Sequence, residues 1–225
     1  MKRLWMPVLA ALAAIGTTGS AAAQNLLINP DFELPSFFGW STFNNTFPVS
    51  ISPEDPNLPT RSGNSSGLIL GPFFNLPNAS GIFQDVPISE GEIAVGSIFA
   101  INDSTRLNDS NEPDIIAGTG NVLDLAIEWI DGSGNNLGQA AITRIFDGQD
   151  PDLPLDEFVQ GTVISPPAPA NAAEARLVLL FVQPPTFDGG VVFFDDASLS
   201  IIPEPTSAAL AGCLGLGVLA RRRHR

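Results

Sequence analysis

The sequence predicts an all-β domain between residues 24 and 202, and two observations carry that expectation. Apolar residues fall there in short runs cut by Gly, Pro, Asn and Asp, and none of the runs continues at helical spacing. Inside the runs, apolar and polar residues alternate with period two, the pattern of a strand whose two sides meet different surroundings. Turn residues recur at the spacing of a β-sandwich.

Taken in order, the expected strands are Leu26–Ile28, Thr46–Ser52, Gly67–Leu70, Gly81–Ile88, Ile93–Ile101, Val122–Ile130, Gln139–Phe146, Phe158–Ile164, Ala175–Gln183 and Val191–Ile201. In the fifth, Ile93, Val95, Phe99 and Ile101 share a parity and are expected in the core. In the sixth, Leu123, Leu125, Ile127 and Trp129 share the core face, and Asp124, Ala126 and Glu128 the other. The run from Leu177 to Val182 is apolar on both parities, as a central strand covered on each side would be. The stretch Asp131-Gly132-Ser133-Gly134-Asn135-Asn136 has the chemistry of a hairpin turn. Residues 102–120 and 147–157 form long acidic loops, either solvated or metal-binding, and neither follows the EF-hand spacing.

Two segments flank this domain. Residues 1–23 read as a secretory signal peptide: Lys2 and Arg3, an apolar core from Leu4 to Ile15, then Ala21, Ala22 and Ala23 as an A-x-A cleavage site before Gln24. Residues 203–225 hold Pro203-Glu204-Pro205, an uncharged run from Thr206 to Ala220, and Arg221, Arg222, Arg223, His224 and Arg225. The run falls short of the ~20 residues of a permanent membrane span, and the arginines mark a cytoplasmic end. This tail resembles the PEP-CTERM sorting signal of Gram-negative bacteria, read and processed by an exosortase. The resemblance implies passage through the inner membrane, a short transmembrane sorting helix before processing, and delivery to the cell surface of a host that exports exopolysaccharide.

Composition then narrows the chemistry. The chain has 24 acidic and 10 basic residues, and the domain keeps every acid except Glu204 but only Arg61, Arg106, Arg144 and Arg176 among the bases. Such a surface repels nucleic acid and attracts divalent cations. The single Cys, Cys213, and the single His, His224, both lie in the tail, and the domain has neither Lys nor Tyr. Ser-His-Asp and Cys-His catalysis, His or Cys zinc sites and lysine Schiff bases are thereby excluded from the domain, and only carboxylate chemistry remains.

The last strand contains the most informative acid. Val191, Phe193, Asp195, Ala197, Leu199 and Ile201 share a parity, so Asp195 points where its neighbours are apolar and must be paired, protonated or bound to a cation. The opening Asn25-Leu26-Leu27-Ile28-Asn29-Pro30-Asp31-Phe32-Glu33 with Gly39-Trp40, then Arg61-Ser62-Gly63 before Leu68-Ile69-Leu70, Phe83-Gln84-Asp85-Val86, Pro169-Ala170-Asn171-Ala172 and Phe194-Asp195-Asp196-Ala197, occur in the order seen in jelly-roll carbohydrate-binding modules. The domain resembles that galactose-binding-like family, whose fold is an antiparallel jelly-roll β-sandwich. The resemblance implies a structural calcium ion held by Glu33 and Asp195, with Asp31, Asp196 and the carbonyls of Gly63 and Asn64 as further ligands. The alternative is that Glu33 and Asp195 cap turns or pair with Arg61 or Arg176.

For polysaccharide, the resemblance points to exposed aromatic rings, and Phe37, Phe38, Phe73, Phe74 and Phe187 lie in loop-like surroundings where they could stack on a sugar. Three functions are thus open. The first is a surface-sorted, non-catalytic protein that binds polysaccharide or joins the exopolysaccharide matrix of a biofilm; the second is a structural or adhesive matrix protein without a small ligand. A glycosidase using two of Glu33, Asp124, Glu128 or Asp195 is the third, and Asp124 and Glu128, about 13 Å apart along one strand, are too distant to be its pair.

Overall fold

The computed structural model describes residues 24–50, 57–70, 77–104, 118–184 and 190–203. The elements are β1 (Ser41–Phe43), β2 (Thr46–Ser50), β3 (Ser65–Leu70), β4 (Asn78–Pro87), β5 (Ile93–Ile101), β6 (Val122–Asp131), β7 (Asn136–Asp147), β8 (Val159–Ile164), β9 (Ala172–Gln183) and β10 (Val191–Ile202), with one 3-10 turn at Pro35–Phe37. They make two five-stranded antiparallel sheets, β1-β4-β9-β6-β7 and β2-β3-β10-β5-β8. Successive strands switch repeatedly between the sheets, so the chain closes as a jelly-roll β-sandwich. Among the described residues, no helix is long and apolar enough to cross a membrane. The signal peptide and the tail from Glu204 onward, with Ala21, Ala23, Glu204, Pro205 and Arg221–Arg223, lie outside the described residues.

The core fills the gap between the sheets. Leu123, Leu125, Ile127 and Trp129 of β6 meet Leu177, Leu179 and Phe181 of β9, and from the other sheet Ile69, Ala94, Ile98, Val192, Phe194 and Leu199. At Gly67 there is no room for a side chain, because an added Cβ would enter the Phe194 ring. The expected hairpin joins β6 to β7, where the Asp131 carboxylate accepts the Ser133 and Asn135 N–H groups and Gly134 takes a positive φ of 83°.

Three expectations are corrected. Leu26–Ile28 forms no strand, because the Gln84 side chain takes the place of a neighbouring ladder: its Oε1 accepts the Ile28 N–H at 2.6 Å and its Nε2 donates to the Ile28 carbonyl at 3.0 Å. In β5 the core side is Ala94, Ile98 and Ala100, so Ile93, Val95 and Phe99 face outward while Ile101 joins a second cluster outside the sheet. In β10 the parity breaks. The register shifts between Asp195 and Ser198, with Asp196 at a φ of 46°, as in a β-bulge. Val191 and Phe193 therefore belong to the outer cluster with Leu58, whereas Ala197 and Leu199 belong to the main core.

Candidate functional site

The carboxylates in the calcium expectation come from two distant parts of the chain, the opening loop and the bulge of β10, and three of them converge on one segment. Glu33, in the opening loop, accepts the N–H groups of Asn64 and Ser65 on Oε1 at 2.8 and 2.7 Å. Asp195, at the β10 bulge, accepts those of Arg61 and Ser62 on Oδ2 at 2.8 and 3.0 Å, and that of Asp196 on Oδ1 at 2.7 Å. Asp196 pairs with the Arg61 guanidinium and accepts the Ser62 hydroxyl at 2.8 Å. Residues 61–65 are thus held between the first and the last parts of the fold. Gly63 fits there at a φ of 58°, where a Cβ would run into the Glu33 carboxylate. Asp31 is exposed and stands outside these contacts.

The electrostatics of this clamp are unbalanced. Among the described residues, Glu33, Asp195 and Asp196 face a single cation, Arg61, which also lies over the Phe99 ring at 3.5 Å. Asp195 is wholly buried, and burial pushes its carboxyl up to about 6 against the three N–H bonds that favour its charged form. The donor set suits a hard cation, since carboxylate oxygens and the backbone of Gly63 and Asn64 lie together. Four N–H groups of the segment already satisfy the same carboxylates, however, and among the described residues no three acidic side chains gather as a metal cluster.

The stacking expectation divides. Phe37 is buried and packs on Phe194 and Phe32 at 5.9 and 5.8 Å, so it is a core residue and offers no face to a ligand. A positive φ of 54° turns its side chain inward from the 3-10 turn. Phe38 is 63% exposed, whereas Phe73, Phe74 and Phe187 lie outside the described residues. Three acids of the 147–157 loop accept hydrogen bonds from the chain itself: Asp147 from the Gln149 N–H and Asp150 from that of Asp152, both local turns, and Asp156 from the N–H and hydroxyl of Ser104, which ties this loop to the end of β5.

A site that sequence patterns did not reveal lies on the outward face of the β1-β4-β9-β6-β7 sheet. Register brings Phe83, Val178, Ala126 and Ile142 into one row across β4, β9, β6 and β7. Beside it runs a second row, Phe43, Gly81, Leu180, Asp124 and Arg144. The missing side chain at Gly81 is what lets the Phe43 ring lie there, since a Cβ would run into it. The middle of the face, at Val178 and Ala126, is made of short side chains that are themselves buried, so the apolar surface a ligand can reach is offered by half-buried Phe83, Phe43 and Leu180 and by exposed Ile142.

Ion pairs border this apolar strip at both ends. Arg176 donates from Nε and an η nitrogen to both oxygens of Asp85, at 2.7 and 2.9 Å, and its guanidinium lies 4.1 Å from the centre of the Phe83 ring. Arg144 grips Asp124 in the same two-pronged way at 2.9 and 3.2 Å and reaches Asp147 at 3.0 Å. The Asp124 carboxylate raises the Arg144 guanidinium, while the Gln149 N–H and then Arg144 hold Asp147 below its usual range. Flat, fixed polar groups beside an apolar strip suit a ligand with apolar ring faces and hydroxyl edges. Past Arg144 the face opens into a cavity of about 460 Å³ lined by Thr119, Val122, Asp147, Gln149 and Pro184.

The sequence matches no protein-family profile and no curated protein. Its fold is similar to that of solved structures. An apo-form cyclase from Fischerella sp. superposes with a TM-score of 0.55 at 14% identity, covering 82% of this chain and 99% of that one. An arabinose-bound α-L-arabinofuranosidase, MgGH51, gives 0.51 at 15% identity, covering 81% of this chain and 27% of that one. The module TmCBM61 in complex with β-1,4-galactotriose gives 0.46 at 14%, covering 79% and 98%.

The clamp makes stability depend on pH in a definite direction. With its folded-state value raised from 3.8 to about 6, Asp195 contributes stability below pH ~4 that is lost as pH rises through ~6. In metal-free buffer, urea unfolding should show a falling contribution over that window, with a slope approaching about 1.4 kcal/mol per pH unit, and Asp195→Asn should remove it. Asp131, Asp147 and Asp156 are shifted down and act in the opposite sense at lower pH, so the difference between wild type and variant is the quantity to read.

Proposed function

We propose that this is an exported, surface-sorted, non-catalytic β-sandwich that binds polysaccharide on the outward face of the β1-β4-β9-β6-β7 sheet. The observation that carries the reading is the accessible apolar strip of Phe83, Phe43, Leu180 and Ile142 over the buried Val178 and Ala126, bordered by the Arg176–Asp85 and Arg144–Asp124 pairs. An aromatic and aliphatic strip removes the carbon-rich faces of sugar rings from water, and fixed donors and acceptors beside it meet their hydroxyls. Similarity of fold supports none of this by itself, since one sandwich hosts cyclases and parts of glycosidases alike.

What supports the non-catalytic reading is the placement of the acids. Among the described residues, the carboxyl held near neutrality is Asp195, and it is fully buried under the 61–65 segment, out of reach of a substrate. Asp124 is clasped by Arg144, and Glu128, two rows along the same face, accepts from Asn136. Glu33 and Asp195 serve the clamp beside the opposite sheet, so no pair of the four candidates is poised across a cleft.

Two further parts of the reading concern address and metal. The Pro203-Glu204-Pro205 tail with its arginines directs the chain to an exosortase-type enzyme in the inner membrane and from there to the cell surface. A calcium ion at the clamp, held by Glu33 and Asp195 with Asp196 and the Gly63 and Asn64 carbonyls nearby, would neutralise the acids left over after Arg61 and tie the opening segment to the closing strand.

Affinity gel electrophoresis of residues 24–202 against polysaccharides tests the face. Phe83→Ala and Arg176→Ala should each weaken retention about tenfold while circular dichroism stays unchanged, as expected of an aromatic ring and an arginine that anchor a contact. Unchanged retention in both would place the binding surface elsewhere. For the metal, thermal unfolding with calcium at about a thousandfold excess over Kd should gain ~4 kcal/mol over the same sample in EDTA, and Asp195→Ala should abolish the gain. Identical midpoints in calcium and EDTA would remove calcium from the account.

A further inference from the structure

Resting on the sheet-face reading, we infer that the ligand of this face is an uncharged, hydroxyl-rich polysaccharide and that acidic polysaccharides are turned away from it. Arg61, Arg144 and Arg176 are the arginines of the described residues, and each is committed to a carboxylate: Arg61 to Asp196, Arg144 to Asp124 and Asp147, Arg176 to Asp85. Only Arg144 and Arg176 lie on this face, and both are gripped in two-pronged pairs. A uronate or sulfate group would find each counter-charge already neutralised by one or two carboxylates, and would have either to displace one of them or to sit beside it as a further like charge.

The acids of the face point the same way. Asp85, Glu128 and Glu174 surround Arg176, with Glu128 and Glu174 adding to the field that raises its guanidinium, and Asp124 and Asp147 surround Arg144. Among the described residues, five carboxylates therefore stand against two guanidiniums along the path of the proposed chain. Ionised carboxylates only accept hydrogen bonds, whereas a sugar hydroxyl both donates and accepts. A neutral chain can donate its hydroxyls to these acids and accept the guanidinium N–H groups left over from the pairs. A polyanion offers acceptors to a surface already rich in them, within one screening length of like charge.

The test uses residues 24–202 in affinity gels containing named polymers. The uncharged set is hydroxyethyl cellulose, β-1,4-galactan, arabinoxylan and mannan, and the acidic set is carboxymethyl cellulose, polygalacturonate and alginate. The two cellulose ethers share a backbone and differ in the charge of the substituent. Retention by at least one uncharged polymer and by none of the acidic ones, changing less than about twofold between low and high salt, is the expected result. Glu128→Arg with Glu174→Arg should create retention by the acidic set that high salt abolishes. Wild-type retention by acidic polymers in preference to uncharged ones would overturn the inference while leaving polysaccharide binding intact. Retention by neither set would overturn the sheet-face reading and the inference with it.

Discussion

The anchoring of residues 61–65 by three carboxylates is the interaction on which the rest of the sandwich depends. Glu33 comes from the opening loop, Asp195 and Asp196 from the bulge in β10, and the segment they hold leads directly into β3. Four of the non-glycine residues with positive φ, namely Asn29, Phe32, Ser36 and Phe37, lie in the opening segment around Glu33, and Asp196 is another. Such conformations persist only where surrounding contacts over-determine them. Here the contacts are the carboxylate bonds on one side and the Phe32, Phe37 and Phe194 aromatic cluster on the other. With no cysteine pair in the domain, this polar knot and the core hold the opening segment to the closing strand without a disulfide.

The knot also decides which face of the sandwich is available. The chain leading into the clamp lays Leu58 against Ile101, Val191 and Phe193, and Arg61 lies over Phe99, so much of the outward face of the β2-β3-β10-β5-β8 sheet is occupied by the protein itself. On the other sheet, the row from Phe83 to Ile142 is flanked by side chains of its own strands. Under the proposed reading, structure and recognition are divided between the two sheets. The division explains why an acidic domain with few cations places two of them on one face, each locked in register by a carboxylate across a strand.

Much of the fold was legible because strand position follows from local alternation and turn residues, as the match of Ile93–Ile101 to β5 shows. Facing was harder. Parity read through Asp195 failed because the bulge at Asp196 inserts a residue that no composition rule marks. In β5, small residues, Ala94 and Ala100, occupy the core side beside Ile98, so the larger outward residues gave the wrong face. The opening segment looked like a strand because its apolar residues are strand-like, yet the Gln84 side chain, 56 residues away, takes up its polar backbone groups. Convergence of Glu33 and Asp195 on one segment followed from family likeness, but their bonding to N–H groups did not. The sheet face was hidden because its rows join strands distant in sequence, and Arg176 and Asp85 are 91 residues apart. Two local signals existed: the parity of Asp124, Ala126 and Glu128 in β6, and the run Leu177 to Val182, apolar on both parities, whose Val178 and Leu180 lie on the same outward face.

The central claim is that the outward face of the β1-β4-β9-β6-β7 sheet meets the ligand. Methyl-labelled nuclear magnetic resonance, recorded while a retained polysaccharide fragment is titrated in, tests it most directly. Shifts confined to the methyl groups of Ala126, Ile142, Val178 and Leu180, with Leu58, Ile101 and Val191 silent, are the predicted result. Shifts at Leu58, Ile101 and Val191 with the sheet face silent would contradict it and move recognition to the clamp side of the sandwich.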